Sequence, residues 1–276
     1  MDLSLAWQAL LLTFLAGMST AVGSLAVVVV PRSRSLLAQG MAFSAGAMIA
    51  VSFVELLGQA IDDVGTWSAT GALLLGSLFT FGLDLLSPQL HRLGLDLESG
   101  HGRGPAVAAL EAEAAGPAVA TRPRAVNTTR VAVVATLAVA LHNFPEGFAV
   151  FAGAYQSLQL GAVLTIAIAA HNIPEGMAVA APVLHATNDR AKAFWAGTGS
   201  GLFEPLGAVF GALLLAPVLT PSLVAVMLAF VAGVMVYVSL DELLPAAREQ
   251  AQEHEVALSL IVGIALMLAT LAVLSP

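Results

Sequence analysis

The 276-residue chain contains no cysteine. Disulfides are excluded, and so is every metal site built on thiolate. Charge is nearly as scarce: Asp, Glu, Lys and Arg supply 10% of the residues, where a soluble domain carries about 25%. An ordinary water-soluble globule is excluded. No GxxxxGK[ST] phosphate loop is present, and neither a nucleotide nor a nucleic acid is an expected partner. No HExxH pair is present, which argues against a zinc hydrolase of that type. The start of the chain also lacks a basic region: the first apolar run opens with Asp2 and is too long for the core of a cleaved signal peptide.

What the chain does have is apolar length. Hydrophobic residues make up 58% of it, gathered into runs of about 20, long enough to cross roughly 30 Å of hydrocarbon as helix. Eight spans are expected, at 3–30, 36–57, 66–86, 130–151, 158–183, 193–216, 221–244 and 256–275. No alternating barrel pattern appears, so the fold class is an all-α polytopic membrane protein. With both termini outside, the cytoplasmic segments collect Arg32, Arg34, Arg92, Arg103, Arg122, Arg124, Arg130, Arg190, Lys192 and Arg248, which is every basic residue in the chain. Basic residues are retained on the cytoplasmic side, so this split supports both the number of spans and their direction. Residues 1–276 form one transmembrane domain in this reading. Within it, 87–129 is a flexible cytoplasmic loop rich in Ala, Gly and Pro.

Two internal repetitions stand out. "LHNFPEGFAV" at 141–150 returns as "AHNIPEGMAV" at 170–179, and "AFSAGAMIAVSFVELL" at 42–57 matches "AFVAGVMVYVSLDELL" at 229–244 in ten of sixteen positions. Met48/Met235, Ser52/Ser239 and Glu55/Glu242 are among the shared residues. Each pair of copies lies an odd number of spans apart and must cross the membrane in opposite directions. Inverted repeats of this kind are typical of secondary transporters, whose sites lie near the midplane.

The repeated motif places chemistry at that depth. His142 and Glu146 share a helix face, and His171 and Glu175 repeat the spacing; Asn143 and Asn172 sit about 100° round from the histidines. Counting along the helices puts both histidines roughly 18–20 Å deep. Glu204 on span six, in "GLFEPLGA", falls at a similar level. Pro145, Pro174 and Pro205 each remove a backbone N–H and are expected to kink their helices and free a carbonyl, while Gly147 and Gly176 admit a neighbouring helix. Buried carboxylates need a positive partner, and no Lys or Arg lies inside the spans, Arg130 marking only the cytoplasmic start of the fourth. The missing charge must come from outside the chain, and protons or a metal cation are the candidates. Imidazole, carboxylate and carboxamide oxygen suit Zn²⁺, Fe²⁺, Mn²⁺ or Co²⁺.

Toward the membrane surfaces, Glu55 near the external end of span two, Asp84 near the cytoplasmic end of span three, and Asp241 and Glu242 on span seven are candidate entry and exit ligands. His91, His101, His185 and His254 read as solvated or interfacial. Gly197, Gly201, Gly207 and Gly211 support close helix packing inside the bundle or a homodimer contact.

"HNFPEG", "HNIPEG" and "SGLFEPLGA", taken with the two span-two and span-seven segments, resemble the ZIP family of divalent metal transporters, in its bacterial ZupT-like branch. The resemblance covers all eight spans. It implies a 3+2+3 helix arrangement, uptake of Zn²⁺ and related ions including Cd²⁺ across the inner membrane by alternating access, and a binuclear metal site with no cofactor. By motif position it assigns His142, Glu146, His171, Glu175 and Glu204 to the primary shell, with Asn143 and Asn172 completing a second one. Some ZIP proteins carry Gln-Asp or His-Glu where this chain has His171-Asn172, so its second site is the more neutral. An intramembrane zinc hydrolase and a metal-selective channel are the competing readings.

Overall fold

The computed structural model describes residues 3–29, 34–92, 143–215 and 220–274, and among these every regular element is helical. Eight helical segments follow one another: α1 (Leu3–Val29), α2 (Arg34–Val51 continued through Leu57–Val64), α3 (Thr66–Arg92), α4 (143–156), α5 (Leu158–Thr187), α6 (Arg190–Gly201 continued through Phe203–Phe210), α7 (Pro221–Val238 continued through Leu244–Arg248) and α8 (Glu253–Leu274). Six of them, α1, α2, α3, α5, α7 and α8, are long and apolar enough to cross a membrane. The expected fourth span begins among residues that lie outside those described. The expected sixth is divided at Leu202, three residues before Pro205, where the chain turns and Leu202 N donates to the Gly199 carbonyl at 3.2 Å. Pro205 cannot donate to the carbonyl four residues back, so the break falls where the sequence removes the hydrogen bond. Pro174 and Pro182 behave differently: both lie within α5, which runs unbroken from Leu158 to Thr187.

Local chemistry sets the helix ends. Ser157, Asp189 and Thr220 cap α5, α6 and α7, each side chain accepting from backbone N–H groups of the first turn. The Lys192 backbone N–H holds the Asp189 carboxyl below its ordinary range. That cap is fully present at neutral pH and is lost as pH falls through the lowered value. Gly65, at φ 81, makes the turn between α2 and α3 that a side chain would oppose.

The helices sort by burial. For α2, α5 and α7, 61% of the most apolar window is buried, against 22% for α3 and α8, so the former are interior and the latter present their sides to lipid. Phe148, Val150 and Phe151 of α4 join Leu164 and Ile168 of α5, Met48 and Val51 of α2, and Leu228 and Met235 of α7 in the main core. The loop expected at 87–129 begins within α3, whose helix continues to Arg92; residues 93–129 lie outside those described.

Contacts repeat with the sequence. α2 packs along α8 and α7 along α3, while α1 lies along α5. A methyl group at Gly46 would run into the Leu260 carbonyl, and one at Gly233 into the Leu73 carbonyl; Gly263 meets the Phe43 carbonyl as Gly76 meets that of Phe230. Each contact in one half is thus the other half's contact with the roles exchanged. The same exchange relates Gly23 against Ile173 to Gly207 against Phe144, and Gly176 against Thr20 to Gly147 against Glu204. Even the local distortions correspond: a π turn at Ser52–Leu56 is matched by one at Ser239–Leu243. Gly197, Gly201, Gly207 and Gly211 all meet neighbouring helices within the bundle, so they serve internal packing.

Backbone contact leaves no room for a side chain, whereas Gly71 and Gly82 have no neighbouring atom within 4 Å. Gly233→Ala is therefore expected to lower the melting temperature in detergent through overpacking of about 1–3 kcal/mol. Gly71→Ala, which gains about 0.5–1 kcal/mol of helix preference, should hold or raise it. Equal melting temperatures would contradict the packing described.

Candidate metal site

The two motif helices are interior, and the carboxylates they carry are removed from solvent. Glu146 on α4 is 1% exposed, and His171 and Glu175 on α5 are 0% and 6% exposed. One ligand atom from each of these three lies within 4.8 Å of the others. His171 and Glu175 are four residues apart on one helix face, and Gly147 and Gly176 bring α6 and α1 against them with backbone contact. Ser44 on α2 donates to the His171 carbonyl at 3.2 Å and fixes that turn of α5.

His171 Nε2 stands 3.4 Å from Glu146 Oε2. That exceeds the 2.7–2.9 Å of a charge-assisted hydrogen bond. Two ligands about 2.0–2.1 Å from a tetrahedral Zn²⁺ would be separated by about 3.4 Å. The spacing therefore suits a cation between the two groups better than a proton. His171 Nδ1 has no hydrogen-bond partner among the described residues.

Around this trio lie three further polar groups, all fully buried: Asn143, Asn172 and Glu204. Asn172 Nδ2 donates to the Ala16 carbonyl of α1 at 3.1 Å and to Glu204 Oε1 of α6. Glu204 sits just beyond the α6 break. Neither amide atom of Asn143 has a partner among the described residues. His142 lies outside them, as does His101. The backbone at His91 and His185 is helical, and His254 is exposed at the start of α8.

The outer acids are not part of the cluster. Glu55 is half-buried in the π turn of α2. Asp84 of α3 and Asp241 of α7 converge on one phenol, Tyr237 Oη lying 3.3 Å from Asp84 Oδ2 and 3.2 Å from Asp241 Oδ2. Its single proton can be donated to only one of them at a time. Glu242 is exposed on the adjoining turn. Sequence reasoning missed Tyr237, Ser44 and the Ala16 carbonyl. The first two had a signal: at the matching places of the other repeat the chain has Ala50 and Val231.

Comparison with known proteins gives the family. The chain is 42% identical to the zinc transporter ZupT of Chlorobium luteolum, with 97% of this chain and 98% of that protein covered. It is 44% identical to the zinc transporter ZupT of Chlorobium phaeovibrioides, over 98% of each chain, and 41% identical to that of Campylobacter jejuni, over 96% of each. Residues 111–271, which hold both copies of the motif and Glu204, match the family described as ZIP zinc transporter. This multi-pass chain, helical in every regular element among its described residues, belongs to the ZIP zinc transporter family.

Proposed function

We propose that the protein carries Zn²⁺, and with it Fe²⁺, Mn²⁺, Co²⁺ or Cd²⁺, into the cytoplasm across the bacterial inner membrane. The observation that carries the reading is the buried Glu146–His171–Glu175 group, whose ligand atoms lie within 4.8 Å of one another. No Lys or Arg is within reach in the sequence of those helices to neutralise it. His142 and Glu204 complete the primary metal shell in this proposal. Asn143 and Asn172 complete a second one with the shared glutamates.

Eight spans in a 3+2+3 arrangement account for the exchanged contacts, with the first three helices repeating the last three and α4 repeating α5 in the inverted sense. Both termini face outside. In support, Gln156 at the end of α4 donates to Asp63 at the end of α2 at 2.7 Å, both in segments assigned to the external side. Ser35 donates to Glu255 at 3.0 Å, and both of these lie in segments assigned to the cytoplasm. The ion enters past Glu55 and leaves past Asp241, Glu242 and Asp84, as motion of the repeated elements exposes the site to each side in turn. The whole chain acts as one transport domain, with 87–129 as a cytoplasmic loop, and pairs as a homodimer.

Competition among divalent ions for ⁶⁵Zn²⁺ uptake into proteoliposomes tests the reading, run with the wild type beside Asn143→Ala. The variant loses a neutral oxygen ligand and keeps the trio. It should retain partial transport, slowed by about tenfold, with a changed order of competing ions. An unchanged rate and order would remove Asn143 from the site.

A further inference from the structure

The two π turns set the same residue at the same place, with different results. Ser52 opens the turn in α2 and Ser239 the one in α7, and the carbonyl of each accepts from the backbone N–H five residues on. Both side chains are fully buried. Ser239 Oγ donates to the Met235 carbonyl at 2.7 Å, the usual bond of a helical serine to the residue four places back. Met48 stands before Ser52 as Met235 stands before Ser239, yet Ser52 Oγ has no hydrogen-bond partner among the described residues. A buried hydroxyl left in that state destabilises the fold.

The place of Ser52 in α2 points to a ligand. Ser44, Met48, Ser52 and Glu55 follow one another at spacings of four, four and three, and so share one face of the helix. Toward the cytoplasmic end that face lies on α5: Gly40 packs on the Pro174 ring, and Ser44 Oγ donates to the His171 carbonyl at 3.2 Å. Ser44 Oγ also lies 3.9 Å from Met48 Sδ. Ser52, eight residues past Ser44, is about 12 Å further toward the external end, one turn short of Glu55. Its neighbours Phe53 and Val54 are exposed on the other side of the helix. The open hydroxyl therefore stands inside the bundle, between the external acid and the histidine.

We propose that Ser52 is a binding station on the way in, where its hydroxyl oxygen takes the place of one water on a hydrated divalent cation passing from Glu55 to the Glu146–His171–Glu175 group. This rests on the metal-transport reading above. A neutral oxygen suits such a place, because passage needs binding strong enough to admit the ion and weak enough to release it. Ser239, the matching residue on the cytoplasmic side, has closed on its own helix. The repeat thus gives one half an open oxygen and the other a closed one.

The absence of cysteine makes the test clean, since Ser52→Cys carries a single thiol. The experiment treats spheroplasts expressing the full-length chain with a positively charged, membrane-impermeant methanethiosulfonate and then measures ⁶⁵Zn²⁺ uptake. Uptake by Ser52→Cys should fall to background, zinc present during the treatment should slow the modification, and Ser239→Cys should escape it. Before treatment, Ser52→Cys should favour Cd²⁺ over Mn²⁺ more than the wild type does, because thiolate prefers the softer ion. Ser52→Ala should raise half-saturation by about tenfold, and Ser52→Thr, which keeps the hydroxyl, should restore it. A purely structural serine would shift the melting temperature and leave half-saturation and ion order alone. Ser52→Cys that transports zinc but stays unmodified, or is modified at the same rate with and without zinc, would overturn the proposal and leave the transport reading standing. Where that variant fails to fold, wild-type half-saturation and ion order in Ser52→Ala would overturn it equally. No uptake by the wild type would sink both.

Discussion

Glu146→Ala and Glu175→Ala should each reduce saturable zinc uptake to background, a loss on the order of a hundredfold or more. Substitutions outside the coordinating shell already cost about 10–100-fold, and each of these carboxylates is one of only three groups in the compact trio. Folding should survive. A carboxylate buried without its cation costs several kcal/mol, so its removal relieves the metal-free protein, and the melting temperature without zinc should hold or rise. What disappears is stabilisation by the ligand: at about a hundred times its Kd, a bound ion adds about 2.7 kcal/mol. Zinc should therefore raise the melting temperature of the wild type and not that of either variant. Uptake at the wild-type rate in either one would remove that residue from the site.

The second large effect comes from a methyl group. Gly147→Ala would drive its Cβ into the backbone of Glu204, and Gly176→Ala into that of Thr20. Backbone cannot swing aside as a side chain can, so α6 or α1 must move away from the motif helix. Overpacking costs about 1–3 kcal/mol, and for Gly147 the displaced segment carries Glu204. Both variants should lower the melting temperature and lose most zinc transport, with transport lost even at temperatures where the protein remains folded. The wild-type melting temperature together with wild-type uptake in Gly147→Ala would contradict the close approach of α4 and α6.

Much of this architecture was legible in the chain. Apolar run length located the helices, because crossing hydrocarbon demands about 20 residues whatever their order. The ten-in-sixteen match between 42–57 and 229–244 announced a structural repeat, and it extends to the backbone, with π turns at both copies. The paired His-Asn-x-Pro-Glu-Gly motifs pointed to Glu146, His171 and Glu175, which the fold brings together; spacing of four on a helix accounts for the shared face of His171 and Glu175.

Other features left little trace. A π turn depends on a hydrogen-bond shift within the helix, and hydropathy carries no record of it. Proline marked the break in α6 but gave the same signal at Pro174, where α5 continues; Gly40 of α2 packs on the Pro174 ring there. The Ala16 carbonyl that holds Asn172 is backbone, and no side-chain pattern reports which carbonyl a neighbouring helix presents. Tyr237 reads as one more apolar residue until folding places it between Asp84 and Asp241.

The central claim is that a cation crosses the membrane through a site centred on His171. ⁶⁵Zn²⁺ uptake into proteoliposomes, wild type beside His171→Ala, tests it most directly. Saturable uptake by the wild type, abolished in a variant that still folds, is the result predicted. Uptake by His171→Ala at the wild-type rate, or zinc that binds the wild type without crossing, would contradict it.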